Sequence, residues 1–387
     1  MTTRAYDVAI VGGGLVGAAI AFGLRGLGAK LALLDEGDVA HRAARGNFGL
    51  IWVQGKGRPE GEYRSAQREG RPVSLPPYAA WTQRSAREWP RLAALLREET
   101  GIDVALRQHG GLHVCLSADE LAARAQRMTQ WAAQAGNEAG VDVLDRAGVA
   151  ARLPGLGPDV AGGTFCAQDG DCNPLRLLRA LHAGVAHAGG AVLAGHAVTR
   201  IEPAPGRFVL RTAHGTVECG RVVLAAGLGT AKLAPMVGIA MPVAPNKGQV
   251  LVLERVRPFL PLPLETLRQT DDGTVLIGDA QQERGLDDTL DPAVLAAMAA
   301  RAARVFPFLR DVRVVRAWAA LRVMSPDGFP VYAHSSAHPG AYAAACHSGV
   351  TLAAAHALAL APAFAADAWP AAMQPFSPER FDVRAIA

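Results

Sequence analysis

Four residues near the start of the chain have the types and spacing to grip a phosphorylated nucleotide. Gly12, Gly14 and Gly17 form GxGxxG, and Asp35 follows about 20 residues later. Each glycine has a mechanical reason: Gly12 permits a tight turn, Gly14 lets backbone approach a pyrophosphate, and Gly17 lets a helix pack closely on a strand. Leu15 and Val16 fall in the first turn of that helix, where unpaired N–H groups face the phosphates. Asp35, with Glu36 beside it, is placed to accept hydrogen bonds from ribose hydroxyls. NAD and FAD both carry an ADP half, so the pattern alone does not separate them.

A second candidate lies far downstream. Arg322 stands in LRVMSPDGFPVY after the apolar run AWAAL. Alternation along a strand turns its side chain to the face of Trp318 and Ala320, where an unpaired cation is costly. Either the arginine reaches back to water or joins a structural salt bridge, or an anion is meant to meet it; a guanidinium pairs bidentately with a planar carboxylate. A third cluster is CHSGVTLAAAHALAL. Ser348 and Gly349 can open a helix there, aiming the N–H groups of Gly349, Val350 and Thr351 at an electron-rich group, with His347 beside them or else held as a hydrogen-bonded core histidine.

The surrounding elements are readable from periodicity. DVAIVGGGLVGAAIAFGLRGLGAKLALLDEGD gives a strand near 6–11, a helix over 15–27 and a strand over 31–35. Helical periodicity returns over 78–100 and 117–138, flanking the short strand GLHVCL. Residues 191–227 read as short strands with hairpin turns, ending in RVVLAAG. Residues 243–280 are strand-rich, with the turn TDDG between LETLRQ and TVLIG.

Composition narrows the class. At 387 residues and 50% hydrophobic content the chain can bury large cores in two or more structural units. A net charge of +4 without a dense basic block argues against nucleic-acid or membrane-surface binding. Five cysteines without a CxxC pair read as ordinary thiols of a reducing compartment. The apolar stretch 8–24 imitates a signal peptide, but the glycine spacing explains it better, and the alanine-rich 340–366 carries His347, Ser348 and His356. A soluble cytoplasmic protein is expected. No metal site is expected either, because His109 and His113 lie in the glycine-broken, strand-like HGGLH. The charged residues 56–78 read as a surface loop, or as a mobile loop near an active-site entrance.

Taken with GDVAHRAARGNFGLIW, AVTRIE, LAAGLG and PDGFPVY, these segments resemble the D-amino-acid oxidase superfamily of FAD-dependent oxidoreductases, which includes glycine oxidase, sarcosine oxidase and D-amino acid dehydrogenase. GNFGLIWVQGKG and RQTDDGTVLIG look most like the branch of opine oxidase, D-hydroxyproline dehydrogenase and hydrogen cyanide synthase flavoprotein subunits. The resemblance implies an α/β plus α+β fold: a discontinuous Rossmann-like, glutathione-reductase-like FAD-binding domain (1–58, 146–236, 319–387) and a mixed-sheet substrate domain (59–145, 237–318).

It also implies roles. Asp35 would hold the adenosine ribose, while Arg45, Gly46, Asn47, Phe48, Gly49 and Leu50 would pass along the flavin. Val198 would meet adenine, with the alternative of an ordinary strand residue. Ala226 and Gly227 would lie beside the phosphates, and His347 beside the isoalloxazine. Ala320 stands where some sarcosine oxidases carry a flavin-linked cysteine, so non-covalent FAD is expected; Cys346 replaces a usual glycine. Arg322 would grip a substrate carboxylate, with Asn47 and Phe48 near the substrate. No tyrosine occupies LETLRQT, so Arg268 or Gln269 is expected to compensate, which would suit an opine-like secondary amine.

The implied reaction is oxidation of a carbon–nitrogen bond, with hydride passing to flavin N5 and the imine hydrolysing afterwards. No protein base is nominated. Leu276 stands where sarcosine oxidase has an oxygen-activating lysine, leaving O2 or a quinone or protein acceptor open. Two alternatives remain at this point: a partner-dependent or non-catalytic FAD-binding subunit in a hetero- or homo-oligomer, and an NAD-dependent dehydrogenase.

Overall fold

The structure, a computed structural model, describes residues 3–37, 43–56, 75–135, 140–278, 280–366 and 369–381. Most of the charged 56–78 segment lies outside the described residues. Its last part does not: Pro76, Pro77 and Tyr78 belong to the first turn of the helix Leu75–Thr100, where prolines give up no intrahelical hydrogen bond.

The nucleotide-type half is built on an eight-stranded sheet. Thr3–Val11 runs parallel to Leu31–Leu34 on one side and to Gly215–Leu224 on the other. Gly215–Leu224 divides its second edge, taking the hairpin strand Arg207–Thr212 antiparallel along its first half and Ala341–Ala345 parallel along its second. The helix Leu15–Leu24 is apolar on nearly every face because it is covered on every side. It lies against Pro174–His187 and the C-terminal helical segment, where a Cβ on Gly23 would collide with the Ala357 carbonyl. It stops three residues before the expected end. Gly26 and Gly28 take positive φ angles of 72° and 78°, and that left-handed backbone cannot continue a helix.

The other half centres on Ala244–Arg255, antiparallel to Val314–Met324 on one edge and to Thr274–Ile277 on the other, with Leu267–Gln269 outside it. A three-stranded sheet places Gly162–Cys166 between Gly111–Cys115 and Val141–Asp145. A parallel bridge joins Leu112 to Leu264, three residues ahead of Leu267–Gln269. Gly162–Cys166 therefore joins strands from across the boundary expected at residue 146. Among the described residues no helix is long and apolar enough to cross a membrane.

Candidate functional site

At the nucleotide end, two of the three fingerprint glycines are required by the fold itself. Gly12 has φ +110°, and a Cβ there would strike the Ala225 carbonyl; a Cβ on Gly17 would strike the carbonyl of Gly12. Gly14 differs, since an added Cβ would meet only Ala44, at 3.7 Å. No protein neighbour excludes a side chain at Gly14, which is the expected condition where backbone must approach a ligand. Gly14 caps the helix without a side-chain hydrogen bond, and the first turn holds no acidic residue. Its leading N–H groups are left for an anion.

Asp35 is braced at the turn: one carboxylate oxygen accepts from Gly13 N at 2.7 Å and the other from Gly37 N at 3.0 Å. His182, which sequence patterning did not single out, sits beneath the turn with Nε2 2.7 Å from the Gly13 carbonyl. Burial lowers its pKa, so the neutral ring donates. Glu36 and Arg45 are exposed beyond this turn, and Val198 opens the strand Val198–Ala204 half-buried. Ala226 leads into Gly227, whose φ of +58° turns the chain after Gly215–Leu224.

The loop after residue 45 is held by contacts from both halves. Trp318 Nε1 donates to the Gly46 carbonyl at 3.2 Å, and Asn47 Oδ1 accepts from Gly49 N at 2.8 Å. Phe48 lies on Gly278, which has no room for a side chain: an added Cβ would be 2.9 Å from the ring. Gly46, Asn47, Phe48 and Leu50 form one wall of a cavity of about 250 Å³. His347, Ser348, Val350 and Thr351 form another, and Arg322 with Gly248 and Gln249 a third. The sequence candidates for the flavin side and for the carboxylate anchor thus converge on one space.

Arg322 lies opposite Asn246 in the sheet. Its Nη1 donates to the Ala280 carbonyl at 2.7 Å and to Asn246 Oδ1 at 3.2 Å. The guanidinium rests over Gly248, from which a Cβ would project to within 2.7–2.9 Å of it.

Arg268 and Gln269 are placed elsewhere. Arg268 is buried, donates to the Cys172 carbonyl and faces Asp171 at 3.6 Å. Its guanidinium fills the space a Cβ on Gly49 would need, so it braces the loop from behind. Gln269 accepts from Phe259 N at 2.9 Å and donates to the carbonyls of Val256 and Gly273. Neither lines the cavity. In a three-residue strand, alternation does not say which face meets the site.

A second expectation also shifts. The regular helix begins at Ala353, not at Ser348, and residues 349–352 form a lead-in turn closed by Leu352 N to the Ser348 carbonyl at 2.9 Å. Ser348 places its hydroxyl between Tyr78, at 2.8 Å, and His347 Nδ1, at 3.2 Å, instead of capping. Gly349 packs 3.6 Å from Leu15 and 3.8 Å from Val16 by its would-be Cβ, which sets this turn beside the fingerprint helix. His347 is half-buried at the cavity wall. Burial, then the nearby Lys56 and Arg322 cations, hold its pKa well below the ordinary value, so it stays neutral.

The far wall was not legible in sequence. It comprises Trp52, Gln54, Lys56, Tyr78, Arg124 and Glu265. Asp169 accepts from Val53 N at 2.6 Å and Gln54 Nε2 at 2.7 Å, while Arg124 donates to Gln54 Oε1 at 3.0 Å. Glu265 pairs with His113. Burial opposes charge on His113, but the Glu265 carboxylate overrides it and lifts the pKa to about 9. No cluster among the described residues could hold a metal ion.

The residues at the nucleotide end fit FAD: a glycine open toward a ligand, an uncapped helix start and a braced acid. Comparison with known proteins bears on the same point. The family described as "FAD dependent oxidoreductase" (DAO) matches residues 7–363. An opine oxidase subunit from Agrobacterium tumefaciens (strain Ach5) is 43% identical over 376 residues, covering 97% of both chains. The Rhizobium meliloti protein of the same name is 42% identical, covering 98% of both. The crystal structure of glycine oxidase from Geobacillus kaustophilus superposes with a TM-score of 0.84 at 26% identity, covering 97% of this chain and 98% of its own. The NAD alternative falls with this match: the chain belongs to the DAO family of FAD dependent oxidoreductases, and FAD is its cofactor.

Proposed function

We propose that this oxidoreductase oxidises the carbon–nitrogen bond next to a carboxylate, in a small amino acid or in an N-substituted amino acid of the opine type. The observation that carries the reading is Arg322. It stands on the cavity wall, steadied by Ala280 and Asn246, across a space bounded by the 46–50 loop and the 347–351 turn. A fixed guanidinium sets both position and orientation of a carboxylate. Relatives named as an opine oxidase subunit and as glycine oxidase support an amine substrate of this class.

When bound, FAD supplies a two-electron acceptor for the hydride that leaves the substrate carbon. The chain's own contribution is positioning and charge. Arg322 holds the carboxylate, and the walls made by Phe48, Leu50 and Val350 exclude water from the reacting carbon. Burial, helped by Lys56 and Arg322, keeps His347 uncharged; the same cations disfavour a bound ammonium, so the substrate nitrogen is held neutral with its lone pair available. No base on the protein is then needed for the α-hydrogen.

A second reading concerns partners. The opine oxidase relatives are named subunits, as is hydrogen cyanide synthase subunit HcnC of Pseudomonas aeruginosa. A partner that receives the electrons accords with those names. Anaerobic mixing with D-amino acids, glycine, sarcosine, D-hydroxyproline and opines tests both: an amine of this class bleaches the flavin under the first reading. Bleaching without turnover in air indicates a required acceptor or partner. If no member of the panel bleaches it, the proposed reaction is wrong.

A further inference from the structure

Three side chains on the cavity wall form a hydrogen-bonded chain that the reaction above does not use. The Tyr78 hydroxyl lies 2.8 Å from Ser348 Oγ, and Ser348 Oγ lies 3.2 Å from His347 Nδ1. Tyr78 is brought there by the first turn of the helix Leu75–Thr100, and its ring is clamped by Phe329 and Phe376.

The direction of the chain follows from donor counting. A phenol has one proton, and Tyr78, 1% exposed, has no other nitrogen or oxygen partner among the described residues. Were Ser348 to donate to Tyr78, the phenolic proton would be buried without an acceptor. Tyr78 therefore donates to Ser348, and Ser348 donates to Nδ1. An imidazole that accepts at Nδ1 and is neutral carries its proton on Nε2. An imidazolium would put a second proton into the chain and would face Lys56 and Arg322; Asp327, also on the cavity wall, is instead paired with Arg380 at 2.8 Å.

We propose that Tyr78, acting through Ser348, fixes His347 as the Nε2–H tautomer, so that the cavity wall presents a neutral hydrogen-bond donor to the anionic end of the bound amino acid alongside Arg322. Tyr78 and Ser348 are positioning residues in this scheme. A neutral donor adds direction without adding a second competing charge beside the guanidinium. The part of the scheme concerning substrate rests on the proposed function; the tautomer does not.

The test is long-range proton–nitrogen NMR on the holoenzyme labelled with 15N-histidine, with His347 assigned by its loss in His347→Gln. The expected result is a neutral Nε2–H ring around neutral pH, becoming a tautomer mixture in Tyr78→Phe and in Ser348→Ala. Each variant should keep its flavin and lose about tenfold in kcat/KM, one hydrogen bond's worth. The double variant should be no worse than the weaker single one, because the chain is one path. His347→Gln, which keeps an amide donor, should retain more activity than His347→Ala. An Nδ1–H ring in the wild type, or a tautomer unmoved by Tyr78→Phe, overturns the proposal. A tautomer that shifts while kcat/KM stays constant overturns its substrate arm. Failure of every amine to reduce wild-type flavin would refute the reaction instead and leave the tautomer result standing.

Discussion

Replacing Gly248 by alanine displaces the proposed anchor without altering it. The added methyl carbon would lie 2.7 Å from Arg322 Nη1, 2.8 Å from Cζ and 2.9 Å from Nη2. Carbon contacts settle near 3.5–4.0 Å, so the guanidinium must withdraw by about 0.7–1 Å. It is the far end of a flexible side chain and can do so, but only by loosening its bonds to Ala280 and Asn246. Gly248 pairs with Ala320 inside an ordinary antiparallel ladder and has no positive φ, so the backbone accepts alanine, with a gain of about 0.5–1 kcal/mol over glycine. Misplacing a binding group by about 1 Å costs up to about 100-fold. The expected outcome is a loss of about 10- to 100-fold in kcat/KM with the melting temperature kept or raised. The assay compares an amino acid with its decarboxylated analogue in flavin reduction. Only the carboxylated compound should feel the change; equal losses for both, or a variant within about twofold of wild type, would mean that Arg322 does not hold the carboxylate from above Gly248.

Other expectations follow from the same geometry. Gly17→Ala drives a methyl into the Gly12 carbonyl and should yield protein with little FAD, read as flavin content after purification. Arg268→Met removes the brace behind Gly49 and leaves Asp171 with Arg107 alone. A loss of about 1–3 kcal/mol in urea unfolding is expected, chiefly from the Cys172 carbonyl left without its donor. The His113–Glu265 pair gives a pH signature. His113, raised from 6.5 to about 9, contributes fully below pH 6.5 and fades as pH rises through about 9. Glu265, which burial would raise but His113 holds at about 2, contributes above pH 4.5 and fades as pH falls through about 2. The stability difference between wild type and His113→Gln should peak between those limits, at about 2 kcal/mol. That is less than for a fully buried pair because the side chains stay 18% and 21% exposed.

What could be read from sequence was what is local. GxGxxG with Asp35 lies within one strand–helix–strand unit, so its spacing shows in sequence, although the Ala225 carbonyl that forbids a side chain at Gly12 comes from far along the chain. Arg322 stood out because a cation after the apolar run AWAAL has to be explained wherever the strand goes. The 46–50 loop was readable only through resemblance, since what holds it, Trp318 and Arg268, comes from more than 200 positions later. Arg268 and Gln269 were misjudged for a related reason: their partners are Cys172, Asp171 and Phe259, which only the fold brings near. Lys56 and Tyr78 end the 56–78 segment, for which a loop near an active-site entrance was one reading, but Arg124 and Glu265 come from elsewhere and the four share no spacing. The C-terminal segment was expected to open a helix at Ser348 and Gly349. It carries a π turn at His356–Leu360, just before Pro362, whose missing N–H and ring leave no place for an ordinary helical bond.

Arg322 is proposed to make this flavoprotein an oxidiser of amines bearing a carboxylate. Anaerobic flavin reduction by an opine-type amino acid, measured for wild type and Arg322→Met side by side, tests it most directly. Rapid bleaching is expected in the wild type, with a loss of roughly 3 kcal/mol of transition-state binding, above 100-fold in kcat/KM, in a variant that keeps its FAD. Equal rates and equal substrate affinity in the two proteins would contradict it.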